Sequence, residues 1–155
     1  MLIFKAMSID KEGWKPRWVY GSYLPEACIT GVNFTGFIET YGDAVGAIIV
    51  DSVVAWEVDP LTLCQSTPSK DVLDKLIYVN DILNTGDGKR YLVKAASHYV
   101  VSGPEGNIVM PALLCEYDGN EIMQLIQRSD GTWIVENSIR SVNIKVIDNL
   151  FGPVE

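Results

Sequence analysis

Positive charge is scarce in this chain. Twelve Lys and Arg stand against twenty Asp and Glu, a formal net charge of −8. That argues against nucleic acid as the main partner, because general affinity for phosphates comes from clustered basic side chains. The bases that exist gather at the start, where Lys5, Lys11, Lys15 and Arg17 outnumber Asp10 and Glu12. So small a group reads as a solvated face rather than a phosphate site. The three cysteines, Cys28, Cys64 and Cys115, are far apart and form no C-x-x-C pair. A disulfide framework and a paired-ligand zinc site are both disfavoured, and free thiols in a reducing cytoplasm are expected. Long apolar runs are missing, so no transmembrane helix is predicted, and Lys5 interrupts the only leader-like start.

Catalytic signatures are missing too. The single histidine, His98, has no local partner motif, although a Cys–His pair with Cys28, Cys64 or Cys115 is formally available. There is no G-x-S-x-G. The stretch GDGKR (Gly86 to Arg90) fails as a phosphate loop, because Leu83 stands where the first glycine is needed. Asp118 and Asn120 flank Gly119 without the later ligands of a calcium loop, and Asp71 and Asp74 read as a solvated turn. No enzyme activity, metal or cofactor is expected.

What the chain does have is period-two alternation. Its 155 residues suit one domain or two small ones, with about 68–70% of the unfolded surface buried without disulfides or metal. LIFKAMSI (Leu2 to Ile9) and RWVYGSYL (Arg17 to Leu24) read as partner strands around the turn DKEGWKP. A short strand is placed near Asn33 to Glu39 among loops. AIIVDSVVAWEV (Ala47 to Val58) reads as one half-buried strand, bent near Asp51, with Ile48, Val50, Val54, Trp56 and Val58 on one face. Farther on, NTGDGKR, SGPEGN, YDGNE and RSDGTW are turns between β-type runs, a spacing that suggests a small barrel or sandwich. In RYLVKAASHYVVS, alternation sets Tyr91, Val93, Ala95, Tyr99 and Val101 on one face and places His98 and Lys94 on the other, at the surface. Pro111 belongs at an edge or a bulge. SKDVLDKLI is read as a helical turn capped by Ser69, and EIMQLIQR as a strand.

Aromatics cluster near the N-terminus: Trp14, Trp18, Tyr20 and Tyr23, with Arg17 among them. This composition suits a recognition surface, and these five residues are the candidate binding site. Packing of a β-hairpin onto its core explains the same residues, and strands are ordinarily rich in aromatics. Stacking on single-stranded nucleic acid is a third reading, opposed by the net charge.

Three blocks resemble the YopX family of bacteriophage and prophage proteins. In IFKAMSIDKEGWKPRWVYGSYL, the likeness is carried by Phe4, Ala6, Asp10, Lys11, Val19, Tyr20 and Gly21. In VDPLTLCQSTPSKDVLDKLIYVNDIL, it is carried by Val58, Asp59, Pro60, Thr62, Gln65, Thr67, Ile77, Tyr78, Asp81 and Ile82. In IKVIDNLFGPVE, it is carried by Val146, Ile147, Asn149, Pro153 and Glu155. Cys64, Ser66 and Asn80 stand where the family has glycine, and DVLDK replaces an Asn-Gly turn. The resemblance implies a mainly β fold with an SH3-like barrel in the C-terminal part, and no catalytic residues. The expected architecture is therefore an N-terminal β-hairpin or sheet region, 1–66, packed on a C-terminal SH3-like small barrel, 67–155, with one or two short helical turns at most. The second block then reads as the connector. The expected function is a non-catalytic interaction module of the bacterial cytoplasm, with a nucleic-acid accessory factor, and after it a Cys/His-dependent enzyme, as the alternative readings. Its partner would be a host or phage protein or a second copy, not a membrane.

Overall fold

The computed structural model describes residues 3–9, 15–28, 31–32, 38–39, 44–50, 55–86, 88–117, 121–136, 138 and 141–153. Nearly all the regular structure is β, and the chain divides into two compact units, Met1–Ser66 and Thr67–Val154.

The first unit is built on β1 (Phe4–Met7) and β2 (Trp18–Cys28), antiparallel with Lys5 opposite Tyr20 and Met7 opposite Trp18. Among the described residues, β3 (Gly31–Val32) and β4 (Ile38–Glu39) pair only with each other. Of the strand expected over Asn33 to Glu39, β4 is the part that is described; 33–37 lie outside the described residues. β5 (Ala44–Val50) pairs with β2 on one side and with β6 (Ala55–Glu57) on the other, giving the order β6-β5-β2-β1. The segment expected to be one bent strand is therefore a hairpin, with Ile48 opposite Glu57 and Val50 opposite Ala55. Reversal changes the inward face. Ile49, opposite Trp56, is fully buried and joins Ala6, Val19 and Val58 as the core, with Phe4, Tyr23, Trp56 and Leu63 packed around them.

Asp59 opens a single 3₁₀ turn, Pro60–Thr62, by accepting from the Leu61 N–H at 3.0 Å, with Pro in the first turn where no N–H is missed. β7 (Cys64–Lys70) follows; its first residues pair with β1, Phe4 opposite Gln65. No helical turn forms over 69–77. β7 runs through Ser69, whose Oγ is buried without a hydrogen-bond partner, and the chain reverses over 71–75 into β8 (Leu76–Tyr78). Asp71 enforces that reversal: one carboxylate oxygen accepts from the Leu73 and Lys75 N–H groups, both at 2.9 Å. The other accepts from Val146 N–H at 3.0 Å. Val72 and Leu73, expected on an apolar helical face, are exposed.

The second unit's main sheet is a curled half-barrel of seven antiparallel strands. β9 (Asp81–Asn84), β10 (Arg90–Gly103), β11 (Gly106–Tyr117), β12 (Glu121–Gln127), β13 (Trp133–Val135) and β14 (Ser141–Val142) follow in sequence order. β15 (Lys145–Asn149) returns to the free side of β9. Glycines at positive φ serve two of the turns, Gly106 (φ 113°) into β11 and Gly131 (φ 88°) before β13, where other residues are strained. EIMQLIQR is a strand, as expected. Trp133, Leu113, Leu125, Val93, Leu83 and Ile144 are among the residues of the buried core.

One detail re-aims a strand. Val93 stands opposite Cys115 and Ala95 opposite Leu114, so Lys94 is the extra residue of a β-bulge. Opposed residues share a face and successive residues alternate. The bulge therefore puts Tyr91 and Val93 on one face and Ala95, Tyr99 and Val101 on the other, against the expectation that all five are together. His98 is exposed as expected, yet its register places it on the face of Val93.

Candidate functional site

Of the five N-terminal residues, four lie among the described ones, and they differ in exposure. Trp14 lies outside the described residues. Trp18 is buried, with the Lys5 ammonium 4.8 Å from its ring centroid. Tyr23 packs on Phe4 at 5.8 Å between centroids, facing the first unit's core. Arg17 is exposed and sets its guanidinium 4.3 Å above the Trp56 ring. Its backbone is tied to Ser8 through both N–H and carbonyl. Tyr20 is 39% exposed. Composition found the aromatics and could not tell which are structural, because burial depends on partners elsewhere in the chain.

The thiols are placed as core residues. Cys64 and Cys115 are both fully buried thiols. Burial pushes the Cys115 thiol up to about 12, so it stays protonated at neutral pH, while the thiolate is the nucleophile. His98 lies opposite Pro111, four residues along β11 from Cys115, which separates the positions by about 13 Å at a strand's rise. Cys28's side chain is outside the described set. Among the described residues, no group of three His, Cys, Asp or Glu is arranged to hold a metal, and no helix is long and apolar enough to cross a membrane.

Two clefts open in the second unit. The first, about 400 Å³, is floored by Met123, Val135 and Val142 and walled by Tyr91 and Tyr117. The tyrosine rings stand 5.1 Å apart and tilted by 31°, and the Lys89 ammonium lies 5.9 Å from the Tyr117 centroid. Glu121 and Glu136 complete the rim; Glu136 also accepts from the Gln124 N–H at 3.1 Å. An apolar floor with one cation and two carboxylates can seat a small mixed side chain. Its size is at the low end for ligand sites. The second cleft, about 500 Å³, is lined by Asp71, Asp74, Asp130 and Lys70 among others. Its carboxylates serve the backbone or each other's turns: Lys70 pairs with Asp74 at 3.6 Å. The Thr132 hydroxyl and N–H hold the Asp130 carboxyl below its ordinary value.

The most distinctive surface is the far end of the β10–β11 hairpin. β9 covers β10 only from Arg90 to Leu92, and β12 covers β11 only from Tyr117 to Ala112. The latter ladder stops beside Pro111, which has no N–H to extend it. Beyond these points, past a bond from the Asn80 N–H to the Val93 carbonyl at 2.8 Å, the two strands pair only with each other among the described residues, to Gly103 opposite Gly106. This arm exposes Tyr99, Val100 (52%), Val101, Ile108 (63%) and Val109 (57%). Register puts Val100 and Val109 on one face and Tyr99, Val101 and Ile108 on the other. From 95 to 112 the only formal charge is Glu105. Gln124 braces the arm's base, its Nε2 donating to Ser97 Oγ at 3.1 Å and to the His98 carbonyl at 3.3 Å. The sequence signal for the arm was present as a long charge-free run, but alternation alone reads such a run as core.

Comparison of the chain with protein-family models, with curated proteins and with solved structures finds no match.

Proposed function

We propose that this chain is a non-catalytic interaction module of the bacterial cytoplasm, made by a bacteriophage or prophage and related to the YopX family, with its half-barrel packed in the SH3-like manner. The observation that carries the interaction reading is the arm. Exposed strand edges pair with other strands unless charge, proline or a cover blunts them, and β10 has neither charge nor proline from 95 to 103. A protein strand added to that edge is the ordinary form of such binding.

The residues behind the resemblance support a structural rather than a catalytic role. Tyr78 and Asp81 of the second block meet Asn149 of the third. The Asp81 carboxylate accepts from the Tyr78 N–H at 2.8 Å and from Asn149 Nδ2 at 2.8 Å. Thr67 donates to the Ile77 carbonyl at 2.8 Å. Asn80, standing where the family has glycine, has φ 75°, the left-handed region that glycine favours. The protonated, buried Cys115 points the same way.

The test is capture by the tagged full chain from bacterial lysate that also contains untagged copies, with and without nuclease. A protein recovered in stoichiometric amount despite nuclease, and lost when Val109→Lys charges the arm, is the expected result. Recovery that disappears with nuclease would replace this reading by a nucleic-acid accessory role.

A further inference from the structure

We propose that the arm's occupant is the arm of a second copy of this chain, paired antiparallel along the β10 edge about a two-fold axis. This rests on the interaction reading above and names its partner. Three observations favour a second copy. First, the part of β10 that no described strand covers runs from Lys94 to Gly103 without proline, about 33 Å of edge, whereas the corresponding part of β11 is shorter and ends at Pro111. An antiparallel edge is complementary to itself, which is what a two-fold interface requires.

Second, both faces of the arm are apolar. Packing one face on a flat surface leaves the other wet. Edge-to-edge pairing brings Tyr99, Val100 and Val101 of one copy against the same stretch of the other on both faces at once. Third, charge selects this place. Two chains of net charge −8 repel across most of their surfaces, and the arm is where that repulsion is absent. A pairing centred near Tyr99 sets the tips at opposite ends, keeping the two Glu105 carboxylates apart and bringing each beside Lys94 of the second copy. Lys94 is exposed there, 3.6 Å from Glu116 of its own chain. A contact confined to two arms is smaller than a standard interface of about 800 Å² per partner, so the dimer is expected to depend on concentration.

Sedimentation velocity of the purified full chain, from low to high micromolar concentration, tests this. The wild type is expected to shift from monomer to dimer mass. Val100→Lys alone and Val100→Glu alone should each remain monomeric, with unfolding midpoints unchanged because Val100 lies outside the core. An equimolar mixture of the two variants should restore the dimer, since opposite charges then face each other across the axis. A wild type that stays monomeric, a dimer that survives both single variants, or a mixture that stays monomeric overturns the proposal. A monomeric wild type whose arm still captures another protein in the lysate experiment rejects the second copy and keeps the interaction reading. A monomer that captures nothing rejects both.

Discussion

The lower half of the β10–β11 hairpin is flanked by strands on both sides, and among the described residues no strand flanks the upper half on either. Val93 and Val100 sit on one strand and are the same residue type, yet Val93 is fully buried and Val100 is half exposed. Their own chemistry does not separate them. What separates them is the neighbours: β9 and β12 flank the base and stop short of the arm. Burial is thus a property of the sheet's extent rather than of the strand's composition. The base belongs to a core, and the arm presents core-like residues to something outside that core.

The largest expected effect is the contrast between two positions on β11. Leu113→Ala removes a fully buried side chain from the core around Trp133 and should cost about 2–5 kcal/mol. Val109→Ala, four residues earlier on the arm, should change stability by at most about 0.5 kcal/mol. Urea unfolding followed by tryptophan fluorescence, at concentrations where the chain is monomeric, measures both. Equal losses at the two positions would break the contrast and make the arm part of the folding core.

The base also depends on its polar anchor. Asp81→Ala leaves the Tyr78 N–H and Asn149 Nδ2 without their carboxylate inside a buried site. A loss of about 1–3 kcal/mol is expected on the same urea assay. Asp81→Asn, which keeps one acceptor, should lose less. If both variants match the wild type, the tie between β9 and the end of β15 is not structural.

The difference between wild type and a Cys115 variant at alkaline pH offers a reading of the base. The Cys115 thiol has its folded value pushed by burial to about 12 from an ordinary 9.0. Below pH 9 it is protonated folded and unfolded, and contributes no pH dependence. Between about 9 and 12 the unfolded chain gives up this proton and the folded chain keeps it, so stability falls as pH rises, by about 1.4 kcal/mol per unit. Cys115→Ala should flatten that part of the profile relative to wild type. Iodoacetamide should label Cys115 only upon unfolding; rapid labelling of the native chain would place the thiol at the surface.

The β class of this chain was legible because alternation and the glycine turns are local signals. RYLVKAASHYVVS and EIMQLIQR state their period within a few residues, and Gly106 and Gly131 state their turns. Three features were not legible, each for a non-local reason. The spacing of Val72, Leu73, Leu76 and Ile77 suits a helix; the reversal there is held partly by Val146, 75 residues from Asp71. A bulge at Lys94 leaves no mark on composition, although it exchanges the faces of everything after it. The reversal between β5 and β6 falls inside an alternation from Ile48 to Val58 that Ser52 alone interrupts on its apolar face. Of the candidate site, the aromatic residues were legible and their roles were not: Trp18 is buried, so its truncation would test packing rather than recognition. Arg17 and Tyr20 remain as exposed positions for that test, with Arg17 also stacked on Trp56.

The smallest expected effect lies at the boundary between base and arm. Gln124 reaches from β12 to Ser97 and the His98 carbonyl, where the arm leaves its flanking strands. These bonds are part-exposed, so water replaces much of what they provide. Gln124→Ala should therefore lower global stability by only about 0.5–1.5 kcal/mol. Its larger consequence is local. Amides of β10 beyond Ser97 should exchange faster with solvent deuterium in the variant, while those of Val93 and Leu113 keep their protection, because opening of the arm does not require opening of the base. Hydrogen exchange resolved along the hairpin measures this directly. If protection drops equally at Val93 and at Val100, base and arm open as one unit, and the division between them is one of exposure without a separate folding identity. If only the arm loosens, Gln124 holds the arm in position and arm and base open separately.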